Sequence, residues 1–152
     1  MTDKSFGPVW VVAELADCAV EGVSLQLIGK ARELADELET KCEALLLGHN
    51  IGDAARDLIA CGADRVFVAR DPSLEMYQPE LYRDILCALA QEHGPEIILI
   101  GSTFMGRELA PLAAASLKKP LAVGQRSAGG SRVTGFAHQC CLNGPSCDSA
   151  AA

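Results

Sequence analysis

Short apolar segments alternate with segments of helical periodicity along this chain, and this alternation constrains the fold more than any other feature. The apolar segments are continuous runs rich in Val, Ile and Leu, which is typical of strands buried on both faces of a parallel sheet. Repetition of strand and helix with short connections indicates a doubly wound α/β fold, with a mainly parallel sheet and helices on both faces. Sheets of this kind resemble those of nucleotide-binding domains such as the Rossmann fold. The predicted strands are residues 9–14 (VWVVAE), 43–48 (EALLLG), 64–69 (DRVFVA) and 96–102 (EIILIGS).

A helix follows each predicted strand, and signals at the helix ends support the assignment. Ser24 is a candidate N-cap for the first helix, and Gly62 suits the position just after the second. Pro79 lies in the first turn of the third helix, where the missing N–H of proline costs little. The predicted helices are residues 24–39, 53–61, 78–93 and 106–117, and residues 121–123 are a candidate fifth strand.

Length and charge narrow the class of protein. The chain has 152 residues, which suits one domain. Its formal net charge of −7 and pI of about 4.9 oppose binding to nucleic acid. No apolar run approaches the roughly 20 residues of a membrane span, and no basic segment followed by an apolar one opens the sequence. We therefore expect a cytoplasmic protein that binds neither nucleic acid nor a membrane.

The loops after the strands hold the candidate ligand-binding residues, because doubly wound sheets bind ligands beyond the carboxyl ends of their strands. The loop after the fourth strand leads into a helix N-terminus beside an arginine, a combination that suits an anion. It lacks the Lys and Ser/Thr of a triphosphate-binding loop, and no GxGxxG follows the first strand. A tight turn with Arg107 in a structural salt bridge is the alternative interpretation. The weak nucleotide or anion candidates are Gly101, Ser102, Thr103, Gly106, Arg107 and His49.

No catalytic set and no metal site is predicted. The sequence places no nucleophile beside His49, so no catalytic residue is assigned. Four widely spaced cysteines are interpreted as buried or half-buried free thiols: Cys18, Cys42, Cys61 and Cys87. A second group lies in a Gly- and Ser-rich segment without the paired spacing of a zinc site: His138, Cys140, Cys141 and Cys147.

The composition changes near residue 118. Residues 120–152 are rich in Gly, Ser, Ala and Cys and show no helical period. We therefore predict a domain over residues 1–119, followed by irregular or disordered chain over residues 120–152.

Five segments of the domain share their order and spacing with one family. They are VWVVAE (9–14), VSLQLIGKARELADEL (23–38), ALLLGHNI (44–51), LIACGADRVFVA (58–69) and PEIILIGSTFMGRELAP (95–111). Together they resemble the N-terminal part of the electron transfer flavoprotein alpha subunit, continuously from residue 8 to residue 111. The most specific pieces are Gly62-Ala63-Asp64 before the third strand and the strand–turn–helix of residues 101–111.

The resemblance implies an electron carrier rather than an enzyme by itself. Alpha subunits of this family form a heterodimer with a beta subunit, and the complex carries electrons from flavin dehydrogenases. The N-terminal α/β domain of alpha packs with beta, and the C-terminal domain holds FAD. That C-terminal half has no counterpart here, so no FAD-contacting residue is transferable and we expect no FAD on this chain alone. Two explanations account for the short length. In one, the gene is truncated or frameshifted and the tail is translated out of frame. In the other, the chain is a short natural protein.

Two functional hypotheses follow. In the first, the chain is a fragment of the alpha subunit that associates with the beta subunit, and its uncovered hydrophobic face causes self-association when beta is absent. In the second, it is a stand-alone adenine-nucleotide-binding module that uses the loops at residues 48–52 and 101–107.

Overall fold

The computed structural model describes residues 5–123 and 137–141. The elements in chain order are β1 (Val9–Ala13), β2 (Leu15–Ala16), β3 (Ala19–Val20), α1 (Gly22–Glu37), β4 (Cys42–Gly48), α2 (Ala54–Ala60), β5 (Arg65–Arg70), a 3₁₀ turn (Pro72–Leu74), α3 (Pro79–His93), β6 (Ile97–Gly101), α4 (Phe104–Leu117), β7 (Leu121–Val123) and β8 (Ala137–Cys141). The four predicted strand–helix pairs are all present, with ends displaced by a few residues at most.

The predicted doubly wound parallel sheet is confirmed. Its parallel part has the order β5-β4-β1-β6, in which β1 pairs in parallel with both β4 and β6 and β4 pairs in parallel with β5. The chain thus builds outward from β1 in one direction and then returns to its other side to form β6. Strand order therefore reverses between β1 and β6.

Two further strands extend the sheet beyond β6. β8 pairs antiparallel with β6, and β7 pairs antiparallel with β8. β7 matches the candidate fifth strand. β8 falls where irregular chain was predicted, so that prediction is wrong for Ala137–Cys141; the remainder of the predicted irregular segment, residues 124–136 and 142–152, lies outside the described residues. The backbone of β8 is held by pairing to a neighbouring strand, which its composition does not reveal.

Side chains of the central strands point alternately to two hydrophobic cores, one on each face of the sheet. One core joins alternate residues of β1, β4 and β6 to α3 and α4, with Leu86 and Leu109 fully buried. The other core joins the intervening strand residues to α1 and α2, with Ile28 and Leu58 fully buried. Both faces of every central strand are thus covered, which explains the uninterrupted apolar runs.

α1 begins two residues before the predicted start, and Ser24 has a different role from the predicted cap. The residue before the helix is Glu21, with no side-chain cap. Ser24 lies inside the first turn, fully buried, and its hydroxyl accepts a hydrogen bond of 2.8 Å from the backbone N–H of Glu14. Ser24 therefore fastens the start of α1 to the end of β1.

A small hairpin, which sequence reasoning missed, follows β1. β2 and β3 pair antiparallel around a two-residue turn in which Asp17 and Cys18 both have positive φ, 50° and 64°. Positive φ at both central residues is the type I′ geometry that usually takes Asn or Gly. The turn therefore lacks the residues that would have indicated it.

Trp10 and two of the cysteines belong to the interior. Trp10 is a core residue, with 0% exposure, and its indole N–H donates to Glu43 Oε2 at 2.8 Å. Of the four widely spaced cysteines, Cys42 and Cys87 are buried free thiols, whereas Cys18 and Cys61 are exposed. The prediction of burial is therefore wrong for those two, which lie in turns that the sheet leaves uncovered.

Candidate functional site

The carboxyl ends of β1 and β6 form the place where a ligand would be expected, because strand order reverses between them. Glu14 is the first residue after β1, and Ser102 and Thr103 follow β6. These residues come from opposite halves of the fold and are 89 positions apart in the case of Glu14 and Thr103. The parallel pairing of β1 with β6 is what brings them together.

A carboxylate of the chain itself lies at this switch point. The Thr103 hydroxyl donates a hydrogen bond of 2.7 Å to Glu14 Oε1, and its oxygen accepts one of 3.0 Å from the backbone N–H of Gly106. Thr103 is therefore the N-cap of α4, and it links the helix N-terminus to the Glu14 carboxyl. A negative group thus lies beside the helix end that an anionic ligand would otherwise approach.

Glu14 is an unusual carboxyl because only 9% of its surface is exposed. The pKa of Glu14 is raised, mainly because burial disfavours the charged form. The hydrogen bond from Thr103 lowers the pKa by less, and the neighbouring Glu21 carboxylate raises it further. The N–H of Glu14 is bound by Ser24, so both its backbone and its side chain are fixed. Two carboxylates at this point make the site unfavourable for a phosphate group.

The loop from β6 to α4 is tighter than the sequence predicted. α4 begins at Phe104 rather than at residue 106 or 107, because Thr103 caps it. Gly106 lies in the first turn, and a Cβ there would overlap the carbonyl oxygen of Gly101. The two glycines thus allow the helix to start directly against the strand end, and their spacing reflects packing as well as any ligand role.

Arg107 and Ser102 are neighbours on the outer side of this loop. The Arg107 guanidinium donates from Nε to Ser102 Oγ at 3.2 Å. This contact replaces the structural salt bridge that was the alternative interpretation of Arg107. Both residues line a shallow depression with Phe104 and Glu108, and Phe104 is 89% exposed. Arg107 is thus the cationic group of the predicted anion site, but it shares its depression with a carboxylate.

His49 lies apart from those loop residues, in a crevice beyond the ends of β1 and β4. The crevice has a volume of about 520 Å³, and Glu14 and Tyr77 are among the residues that line it. His49 Nδ1 is buried and has no hydrogen-bond partner among the described residues. The predicted site residues therefore lie in two places. His49 lines the crevice, whereas Ser102 and Arg107 line the depression. Thr103 is connected to the crevice by its hydrogen bond to Glu14.

Sequence reasoning missed the residues that give the crevice its chemistry. Glu14 was assigned to the first strand, although it is the first residue past the strand, at the edge where doubly wound sheets bind ligands. Glu75 and Tyr77 lie between the 3₁₀ turn and α3. No spacing in the sequence links their loop to the other loops that follow the strands.

Comparison with known proteins identifies the family. A family model described as "Electron transfer flavoprotein domain" matches residues 9–124, which is most of the chain and includes every element from β1 to β7. The chain belongs to the electron transfer flavoprotein family. The resemblance inferred from the five segments is thereby confirmed.

Three curated bacterial relatives share about two fifths of the aligned residues with this chain. The "Electron transfer flavoprotein subunit alpha" of Clostridium acetobutylicum is 40% identical over 121 residues, which cover 80% of this chain and 36% of the relative. The "Acryloyl-CoA reductase electron transfer subunit beta" of Anaerotignum propionicum is 40% identical over 114 residues, covering 75% and 31%. A "Lactate dehydrogenase (NAD(+),ferredoxin) subunit LctC" of Acetobacterium woodii is 38% identical over 120 residues, covering 78% and 29%. The chain spans about a third of the length of these relatives.

The crevice does not suit the pyrophosphate of FAD, the flavin that the resemblance implies, because three carboxylates line it, from Glu14, Asp17 and Glu75. None of the described residues that line it is Lys or Arg. Among the described helices, none has the length and apolarity required to cross a membrane.

Proposed function

We propose that this chain associates with an electron transfer flavoprotein beta subunit, in a complex that carries electrons from flavin dehydrogenases. The match of residues 9–124 to the family model carries this proposal. In the family, electron transfer needs the flavin, and the described residues of the crevice do not suit one. The contribution of this chain is then partner binding by the N-terminal α/β domain, residues 1–119.

Exposed apolar side chains at the carboxyl edge of the sheet support a partner surface. Phe104 is 89% exposed and Met76 is 76% exposed. The two loops that carry them are in contact, because the hydroxyl of Tyr77 donates a hydrogen bond to the backbone carbonyl of Met105 at 3.4 Å. Large apolar side chains left in water on adjoining loops are typical of surfaces that a partner covers.

Co-expression with the beta subunit encoded in the same genome tests the proposal. An affinity tag on this chain is expected to recover beta in equal amount, and a Met76→Ser/Phe104→Ser double variant is expected to recover much less. Ile59→Ser on α2, where the side chain is 47% exposed, is the matched control and is expected to recover beta like the parent. Failure of the parent chain to recover any beta subunit would contradict the proposal.

Flavin content is a second, separate test. The purified chain alone is expected to be colourless, with negligible FAD. A yellow chain with one flavin per molecule would contradict the assignment of flavin binding to the part of the relatives that this chain does not cover.

The nucleotide-binding alternative makes a different prediction about AMP. Its predicted loops end beside Glu14, whose carboxylate disfavours a phosphate at the α4 N-terminus. Calorimetric titration is expected to show no heat of binding for AMP with the parent chain, and saturable heat at one AMP per chain would favour the alternative.

A further inference from the structure

The crevice beyond β1 and β4 has the size and position of a ligand site. Its volume of about 520 Å³ lies within the roughly 300–1,000 Å³ that small-molecule sites occupy. The turn of the β2–β3 hairpin contributes Asp17 and Cys18 to one wall, and the segment before α3 contributes Glu75 and Tyr77 to another. The floor is apolar and includes Leu47, which is 5% exposed.

The charge around the crevice selects the class of ligand. Three carboxylates line it, from Glu14, Asp17 and Glu75, and no lysine or arginine is present among the described lining residues. Glu14 is largely buried, so its charge is poorly screened by water. This arrangement repels phosphates and carboxylates and attracts a group that carries positive charge and N–H donors.

Two tyrosines give the crevice an aromatic side that is held in place. The rings of Tyr77 and Tyr82 pack edge to face with centroids 5.0 Å apart. The Tyr82 hydroxyl donates to the carbonyl of Leu74 at 3.0 Å, and the Tyr77 hydroxyl donates to the carbonyl of Met105. Aromatic rings fixed beside carboxylates are the usual surroundings of an organic ammonium ion.

His49 also lines the crevice. Its Nδ1 is buried without a hydrogen-bond partner in the part of the chain that the structure describes, although buried polar atoms normally have one. Because Nδ1 is enclosed by protein, a ligand with N–H donors would reach it only after the imidazole turned toward the crevice.

We propose that this crevice binds a small organic ammonium ion with an apolar or aromatic body. The ammonium group pairs with the Glu14 side of the crevice, and the apolar body packs against Tyr77, Tyr82 and Leu47.

A pair of ligands with the same body and different charge tests the proposal on the full chain. Phenethylammonium carries the positive charge, and 2-phenylethanol replaces the ammonium group with a neutral hydroxyl. Phenethylammonium is expected to bind at one per chain by calorimetry, with NMR shifts at Gly48, His49 and Tyr77. The alcohol is expected to bind at least about tenfold more weakly, because charge-assisted hydrogen bonds are the stronger ones.

Charge-removing variants locate the site. Glu14→Gln preserves the size of the side chain and is expected to weaken phenethylammonium binding about tenfold. Glu75→Gln, at an exposed position, is expected to weaken it about twofold to fivefold and serves if Glu14→Gln does not fold. Glu92→Gln on the exposed side of α3 removes the same charge away from the crevice and is expected to leave the affinity unchanged.

Three outcomes would overturn the proposal. Absence of saturable shifts at the crevice up to about 10 mM phenethylammonium would remove the site, since that corresponds to less than about 3 kcal/mol of binding. Equal affinity for the alcohol would make it an apolar pocket without charge selection. Binding of AMP at the same residues would make it an anion site instead.

Discussion

Glu14 is a buried ionisable residue, so its contribution to stability depends on both packing and electrostatics. Its carboxyl is 9% exposed and accepts one hydrogen bond from Thr103, with Glu21 as a neighbouring like charge. Burial without a cationic partner penalises the charged form. A glutamate here therefore costs stability at neutral pH, while its hydrogen bond from Thr103 links the end of β1 to the N-cap of α4.

The pH dependence of stability tests this account of Glu14. Its pKa in the folded chain is raised above the ordinary value of 4.5, so the folded state holds a proton that the unfolded state has already lost. The stability from that proton is fully present below pH 4.5 and is lost as pH rises through the raised pKa. Glu14→Gln, which cannot ionise, is therefore expected to gain stability relative to the parent as pH rises above 4.5.

Urea unfolding of both chains across pH 4 to 8 measures this difference, and the exposed Glu92→Gln is the control for a general charge effect. A difference between parent and Glu14→Gln that stays constant with pH, or that changes in the opposite direction, would contradict the raised pKa.

At the scale of elements, the contact between the end of β6 and the first turn of α4 is the tightest feature of the candidate site. Gly106 has no room for a side chain, because a Cβ would overlap the Gly101 carbonyl oxygen. Thr103 caps the same turn through the Gly106 N–H. A side chain at residue 106 must therefore push the helix away from the strand and break the cap.

Gly106→Ala is accordingly expected to destabilise the domain by about 2 kcal/mol or more, from overpacking against backbone together with the lost cap. Gly29→Ala is the matched control, since Gly29 lies inside α1 with no atom within 4 Å of the Cβ position. There alanine is expected to stabilise by about 0.5–1 kcal/mol through helix propensity. Thermal unfolding of both variants measures the contrast, and a neutral Gly106→Ala would show that the close approach is not required.

The same elements show what the sequence can predict. The strands and helices from β1 to α4 follow from uninterrupted apolar runs and helical periods, which are local signals that tertiary structure reinforces. The β2–β3 turn has Asp17 and Cys18 at positive φ without the usual glycine or asparagine, so local chemistry gave no sign of it. β8 depends on pairing with β6, a contact between distant segments.

The candidate site was only partly predictable for a related reason. The loop residues Ser102, Thr103 and Arg107 were named because a glycine-containing turn before a helix is visible in sequence. Their division from His49 depends on which strands neighbour each other, and the link from Thr103 to Glu14 spans 89 positions. Charge around a crevice is a property of the assembled sheet and cannot be seen in any one loop.

At the scale of the whole molecule, helices cover both faces of the sheet, and the large exposed apolar side chains cluster in part at one edge. Met76 and Phe104 are the most exposed of these side chains among the described residues, at 76% and 89%. They lie on two loops joined by the Tyr77 to Met105 hydrogen bond. In the absence of a partner, this edge is the surface through which two copies of the chain would bury apolar area.

We therefore expect the isolated chain to self-associate through this edge. Burial of one Phe side chain is worth about 1.5–3 kcal/mol, so Met76→Ser/Phe104→Ser is expected to weaken self-association more than about tenfold. Light scattering over a concentration series measures it, with Ile59→Ser as the control because Ile59 is an exposed apolar residue of α2 on the other face. A parent chain that remains monomeric at high concentration would contradict the prediction, and an equal effect of Ile59→Ser would show that apolar exposure in general, rather than this edge, drives the association.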